Sequence, residues 1–265
     1  MELRHVIAVG EPRSTVLLLH GFGEHSARYS HIIEIFAEAG YDVFSYDQAG
    51  HGRAAGPRAQ VDMPELLKDH RAARAEVMAR KRTDTLVLFG HSMGGLITGM
   101  SALIDPRGVD AVVLSGPAFR QFPEVAPIIA KIGYGLSGFL PSIPIVNIDT
   151  KDLSRDPFVV RAYERDPLVH HGWVPILTGT SMAVHGRKAL DNASAWKKGL
   201  PLYVVHGEDD QMANIEGSRE FVTSVKDSGS PAELVTVPAG FHEVLNEPDS
   251  EQVVEDVIQW LNNRV

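Results

Sequence analysis

The sequence predicts an α/β fold in which a mostly parallel sheet is flanked by helices and carries one helical insertion. Three observations point to it. Short apolar runs of strand length recur along the 265 residues and alternate with segments of helical period, the pattern of parallel strands joined by crossover helices. One such pair, the run Thr85–Phe89 and the helical face Leu96, Ile97, Met100, Leu103 and Ile104, is joined by the tight turn Gly90-His91-Ser92-Met93-Gly94. Between Pro117 and Pro175, which hold eight of the sixteen prolines, the alternation stops.

Taken in order, Arg4–Val9 reads as an antiparallel edge strand. Thr15–Leu19, Tyr41–Tyr46, Thr85–Phe89, Val109–Leu114, Leu202–Val205 and Glu233–Val237 read as strands buried on both faces. Helical patterns fall at Tyr29–Ala39, Pro64–Arg82, Ser92–Ile104, Ile215–Asp227 and Ser250–Asn262. The last follows Pro248-Asp249-Ser250, a suitable N-cap, and carries Val253, Val254, Val257, Ile258 and Leu261 at helical spacing. Arg80, Lys81 and Arg82 close the second helix, where positive charge suits the dipole.

The segment 118–175 is expected to be an insertion of short helices between a first core part, 1–117, and a second, 176–265. Within it, Val125–Ile148 carries one charge, Lys131, yet Pro141, Pro144 and several glycines interrupt it too often for a bilayer span. Its apolar face, including Ile128, Ile129 and Ile132, either packs on the core or serves as a lid over an apolar ligand or against a membrane surface.

Bulk properties narrow the function. With 44% hydrophobic and 22% charged residues, the chain has the composition of a soluble globular protein. A net charge of −9 and the lack of a basic stripe exclude nucleic acid as an expected partner. The absence of cysteine rules out disulfides, thiolate metal sites and a cysteine nucleophile. Met1–Arg13 lacks an apolar signal core, so a cytoplasmic protein is expected, with peripheral membrane contact open to it.

The turn at Ser92 fits G-x-S-x-G, the nucleophile elbow, where a strained serine is raised above the carboxyl edge of a sheet and glycines make room for the crossing backbone. A serine hydroxyl needs a base, normally a histidine held in one tautomer by a carboxylate. In this chemistry the chain order is Ser, acid, His. Downstream lie His170, His171, His185, His206 and His242. His242 follows the last strand and the loop Pro238–Phe241, whereas His206 ends a strand and reads as structural. After Leu202–Val205 the loop Gly207-Glu208-Asp209-Asp210 offers three competing carboxylates, at the strand end where open α/β sheets bind ligands. Two backbone N–H groups should face the developing oxyanion. Met93 supplies one, and Phe22, in the His20-Gly21-Phe22-Gly23 turn after Thr15–Leu19, the other.

The run HGFGEHSARY, the elbow GHSMGG, the phrase YERDPLVH, HGEDD and GFHEVLNEP together resemble the monoacylglycerol lipases of the α/β-hydrolase superfamily, bacterial members above all, over nearly the whole chain. The resemblance implies Ser92 as nucleophile, Asp210 as the acid, His242 as the base, Phe22 and Met93 as the oxyanion hole, and the insertion as a lid. It further implies Glu24, Arg28, His91 and Tyr163 around the glycerol head, with no metal or organic cofactor. One departure is Asp47-Gln48-Ala49-Gly50-His51-Gly52-Arg53-Ala54, where members often read D-x-R-G-H-G-x-S; the missing arginine and serine leave the bracing of that loop open, and His51 reads as a structural residue. The expected activity is hydrolysis of a monoacylglycerol or related lipid ester through an acyl-enzyme. A broad carboxylesterase, lysophospholipase or thioesterase would use the same machinery, and a non-catalytic binder on the same fold is the rival of a different class.

Overall fold

The computed structural model describes residues 2–265. The strands are β1 (Arg4–Val6), β2 (Ser14–Leu19), β3 (Tyr41–Ser45), β4 (Leu86–His91), β5 (Ala111–Ser115), β6 (Pro144–Val146), β7 (Val174–Pro175), β8 (Leu202–Gly207) and β9 (Ala232–Val237). The helices are α1 (Ser30–Glu38), α2 (Met63–Arg80), α3 (Met93–Ile104), α4 (Pro127–Ser137), α5 (Pro157–Arg165), α6 (Ile176–Asn192), α7 (Ile215–Asp227) and α8 (Ser250–Asn262).

Seven strands form one sheet in the order β1-β3-β2-β4-β5-β8-β9. β1 runs antiparallel to β3 and all other pairs are parallel. Because side chains alternate across a strand, each buried strand feeds two cores. Leu17 and Leu19 point with Leu88, Val112 and Val204 toward α2, α3, α6 and α7. Val16 and Leu18 point with Phe89, Val113 and Val205 toward α1 and α8. The strands therefore read as continuous apolar runs, as the sequence predicts for a sheet covered on both sides.

Boundaries differ from the sequence expectation in instructive places. The edge strand ends at Val6, three residues early, because past the pairing of Val6 with Val43 the chain turns to bond α1 through Val9 N–H and the Ala37 carbonyl. β4 runs on to His91 and β8 to Gly207, since each still has a ladder partner, Ser115 and Val237 respectively. The largest departure is α6, a 17-residue helix without an expected counterpart. Its buried face holds Thr178, Ser181, His185 and Gly186 beside Met182 and Leu190, so polar burial hides the apolar period.

The segment between β5 and α6 contains α4, α5 and the two-stranded β6–β7 ladder, which the sequence reading lacked. α4 packs along α6, and the Tyr134 hydroxyl donates to Asp62 (2.9 Å) at the N-terminus of α2. Among the described residues no helix is long and apolar enough to cross a membrane.

Below the segment, Phe119 stacks on Phe221 of α7 (ring centroids 4.2 Å apart), and Trp196 meets the edge of the same ring at 5.7 Å. Phe221 is fully buried. Phe221→Ala is expected to destabilise the protein by about 3–5 kcal/mol through lost burial and a cavity, lowering the thermal midpoint by roughly 10 °C. A shift below about 2 °C in a calorimetric scan would mean that this aromatic cluster does not anchor the segment.

Candidate active site

β4 ends at His91 and α3 begins at Met93, so Ser92 alone makes the turn. Its backbone sits at φ 54°, ψ −120°, a region that strains any residue with a side chain by ~1–3 kcal/mol. The surroundings hold it there: Ser92 N–H donates to the Ser115 carbonyl (2.9 Å), and its own carbonyl accepts from Ala118 (3.0 Å) and Leu96 (3.0 Å). A Cβ at Gly94 would collide with the carbonyls of Leu19 and His20, and one at Gly90 with Thr98 and the Gly94 carbonyl. The two motif glycines are thus fixed by backbone crossing on either side of the serine.

Three strand ends bring the remaining groups. His242 lies in the loop after β9, its N–H on the Asp152 carbonyl (3.4 Å) and that of Glu243 on the Leu153 carbonyl (2.8 Å). Asp210 lies in the loop after β8. The Ser92 hydroxyl donates to His242 Nε2 (2.8 Å), and His242 Nδ1–H donates to Asp210 Oδ2 (2.7 Å). Asp210 Oδ1 accepts from the amides of Met212 (2.8 Å) and Ala213 (2.9 Å). Residue spacing left three carboxylates in competition and the family resemblance implied Asp210; the fold separates them. Glu208 bonds the Thr236 hydroxyl on the surface and Asp209 is exposed, while Asp210 is buried.

Electrostatics follow from these partners. Burial alone would raise the Asp210 carboxyl, but the His242 charge and the donors around it outweigh burial and hold it well below the usual carboxylate range. Burial likewise disfavours protonated His242, yet Asp210 overrides it, and the imidazole sits above its ordinary 6.5. His91, 4.9 Å from His242 by ring centroids, is lowered to about 4 by burial and by the His242 charge.

Phe22 follows β2 in a turn against the serine. Its N–H, like that of Met93 on the first turn of α3, has no protein acceptor among the described residues. The neighbouring loop is braced without the arginine and serine that the sequence lacks. Asp47 accepts from Ser26 N–H (2.9 Å) and Arg53 N–H (2.9 Å), and Gln48 bonds the His20 carbonyl (2.6 Å). His51 is buried, with Nδ1–H on the Ala49 carbonyl (3.0 Å), and does not bond Ser92, His242 or Asp210.

Ser92 and His242 open into a cavity of about 620 Å³. One end is polar, with Glu24, His91, Tyr163 and Glu243 on its wall. Arg28 is not among the lining residues. It lies behind them, its Nη1 donating to Glu24 Oε2 (2.6 Å) and to Glu243 Oε1 (2.6 Å), and its Nη2 to Glu243 Oε2 (2.8 Å). Its guanidinium also covers the Tyr163 ring at 4.7 Å. Burial would raise the Glu243 carboxyl, but the Arg28 charge holds it below its ordinary value. Sequence reasoning missed Glu243. It directly follows His242, but nothing in that spacing tells that it shares an arginine with a residue 219 positions upstream.

Much of the remaining wall is apolar, with Ala118, Ala130, Ile148, Val174, Met182 and Met212, interrupted by polar side chains such as Gln121, Asn147, Asp152 and Thr180. Ile128, Ile129 and Ile132 do not; each is more than half exposed on the outer side of α4. The insertion therefore has two apolar faces, of which only the inner one meets the cavity.

A serine at a strained strand–helix turn, hydrogen-bonded through a histidine to a buried carboxylate on this sheet, defines a serine hydrolase of the α/β-hydrolase class. Residues 10–249 match the serine aminopeptidase S33 family. A monoacylglycerol lipase of Mycolicibacterium smegmatis is 36% identical over 95% of this chain and 89% of its own. The crystal structure of Paleococcus ferrophilus monoacylglycerol lipase superposes with a TM-score of 0.85 at 30% identity, covering 98% of each chain. A soluble variant of the Saccharomyces cerevisiae monoglyceride lipase, solved with a substrate analogue, shares the fold at a TM-score of 0.84 and 24% identity, over 98% of this chain and 91% of its own. The chain belongs to the monoacylglycerol lipase family within the S33 hydrolases, and it is an enzyme that hydrolyses esters.

Removing Arg28 leaves a buried carboxylate at Glu243 without its cation, a change expected to cost about 3–5 kcal/mol. A carboxyl held low in the fold contributes stability above its unfolded pKa and loses it as pH falls through the folded value. Arg28→Met should therefore lower the thermal midpoint by roughly 10 °C at pH 7.5 and by progressively less as the pH falls below the ordinary carboxyl range through the folded pKa of Glu243. An equal loss across that range would show that the charge pairing contributes nothing and only packing is affected.

Proposed function

We propose that the protein cleaves monoacylglycerols to a fatty acid and glycerol. The observation that carries the reading is the unbroken chain Ser92–His242–Asp210, whose serine and imidazole open into one cavity with a cluster of polar side chains and a mainly apolar wall. Ser92 Oγ attacks the ester carbonyl while its proton passes to His242 Nε2. The tetrahedral oxyanion is held by the N–H groups of Phe22 and Met93. Collapse expels the glycerol oxygen, which takes the proton from His242 and leaves the acyl-enzyme. A water gives its proton to the same imidazole, attacks the acyl carbonyl and releases the fatty acid, and the proton returns to Ser92. Asp210 keeps Nδ1 protonated and stabilises the imidazolium.

The apolar end would take the acyl chain, each buried methylene contributing about 0.8 kcal/mol. Glu24, His91, Tyr163 and Glu243 would meet the glycerol hydroxyls, with Arg28 holding the two carboxylates. We assign residues 118–175 as a lid between the core parts 1–117 and 176–265. The outer row Ile128, Ile129 and Ile132 would rest on a lipid surface, from which the inner face receives substrate.

The test is a comparison of rates on monoacylglycerol, triacylglycerol, short nitrophenyl esters, lysophospholipid and acyl thioesters, beside fluorophosphonate labelling. Preference for monoacylglycerol, with labelling abolished in Ser92→Ala, is the expected result. Faster turnover of short dispersed esters would replace the lipase reading by a general esterase, and absence of labelling would remove the enzyme mechanism.

Asp210→Asn should lower kcat by about 10⁴-fold, while Asp209→Asn stays within about threefold. Because His242 must be neutral to accept the serine proton, kcat/KM falls as pH drops through its pKa. With that pKa raised, the acid limb should lie above pH 6.5. A reversed Asp ranking, or a midpoint below 6.5, would contradict these roles. Finally, changing Ile128, Ile129 and Ile132 together to serine should reduce turnover of emulsified long-chain monoacylglycerol about tenfold while sparing a monomeric short ester. Equal losses on both would make the outer face merely structural.

A further inference from the structure

We propose that His206 is a positioning residue for the triad, holding the Asp210 loop and its carboxylate in place and setting the proton affinity of His242 through it. This rests on the reading of Ser92, His242 and Asp210 given above.

His206 lies near the end of β8, in register with Thr236 of β9, and is fully buried. Its Nε2 is 3.2 Å from Asp210 Oδ2 and 3.0 Å from the Ala213 carbonyl oxygen. Both neighbours are acceptors only, so Nε2 carries a proton, which is donated to the Ala213 carbonyl and leaves the N–H dipole beside the Asp210 carboxylate. Nδ1 lies 2.8 Å from the Ser218 hydroxyl of α7, which donates to it and fixes that tautomer. Ser218 is itself fully buried, so this tautomer is set by the fold and not by solvent.

Two consequences follow. First, the loop 210–213 is clamped from both sides: the Ala213 amide bonds Asp210 Oδ1 while the Ala213 carbonyl bonds His206. Without the imidazole only His242 and the amides of its own loop would orient the carboxylate. Second, Oδ2, which accepts from His242 Nδ1–H, also faces the His206 Nε2–H at 3.2 Å. A second N–H dipole beside one carboxylate oxygen lowers its basicity and so weakens its pull on the Nδ1 proton of His242. Loss of that donor should make Asp210 more basic and raise the His242 pKa. The other groups facing the pair are Glu24 and Glu243 with their shared Arg28, His91 from the end of β4, and Asp152 from the segment between β6 and α5. None of them bonds His206, so all stay in place when it is changed.

The experiment compares His206→Gln, whose side-chain amide can place an N–H where Nε2 stands, with His206→Leu, which offers no donor. The substrate is a soluble ester, and Ser92→Ala is the control. His206→Leu should lower kcat about tenfold with KM within about twofold, and move the acid limb of kcat/KM upward by roughly half to one pH unit. His206→Gln should restore the limb to within about 0.2 unit of the native position and kcat to within about threefold. A native limb and native kcat in folded His206→Leu would overturn the proposal, as would a drop in both variants that only tracks the folded fraction by circular dichroism. Nitrogen-15 spectra of histidine-labelled native protein, with His206 assigned by its loss in His206→Gln, should show Nε2 protonated; a proton resident on Nδ1 overturns the proposal even where His206→Leu does not fold. Failure of the underlying reading looks different: there Ser92→Ala would keep its activity.

Discussion

The site depends on one backbone constraint, the turn at Ser92, which reverses from strand to helix within a single residue held at positive φ. It persists because the crossing backbone leaves no room to relax: Gly94 packs on the carbonyls of Leu19 and His20, and Gly90 on Gly94 and Thr98. Pairing of Leu19 with Gly90 and of His91 with Ser115 locks β4 between its neighbours. The hydroxyl therefore stands fixed at the carboxyl edge, beside the first turn of α3, whose unpaired N–H groups favour negative charge. Other groups reach this point from neighbouring strand ends, Asp210 from β8 and His242 from β9, which is how an open parallel sheet assembles a site from distant sequence.

Around that point the protein buries charge only where each charge is answered. Asp210 receives donors on both oxygens, and Arg28 is gripped by Glu24 and Glu243. The two clusters act on His242 in the same direction, since Asp210, Glu243 and Glu24 all favour its charged form against the penalty of burial. Neutral His91 and Tyr163 then form a polar wall without adding a further charge. Such a wall suits an uncharged polyol leaving group better than an anionic one.

The segment 118–175 shows how one apolar stretch divides its labour. Ala130 faces inward to the cavity, while Ile128, Ile129 and Ile132, one to two residues away, face out. α4 is tethered by the Tyr134–Asp62 bond and by its packing along α6, so its two faces stay distinct. Departure from either contact would bring the outer isoleucines and the cavity wall into motion together.

By itself the sequence determined the main sheet, five of the helices around it, the serine turn and the chain order of Ser92, Asp210 and His242. These rest on local properties: apolar runs, helical period, and glycines at fixed spacing from a serine. Motif order carried the family as well, and the long matches to monoacylglycerol lipases agree with it. Tertiary structure alone decided which carboxylate in Glu208-Asp209-Asp210 is buried, that Arg28 stands behind the wall and not on it, that Glu243 joins the polar end, and that α6 exists with polar residues in its buried face. His206 and Glu243 take their meaning from residues tens to hundreds of positions away in the chain or across a loop. Sequence spacing encodes what neighbours along the backbone must do; which side chains share a proton or a counter-charge is settled only when separate strand ends meet.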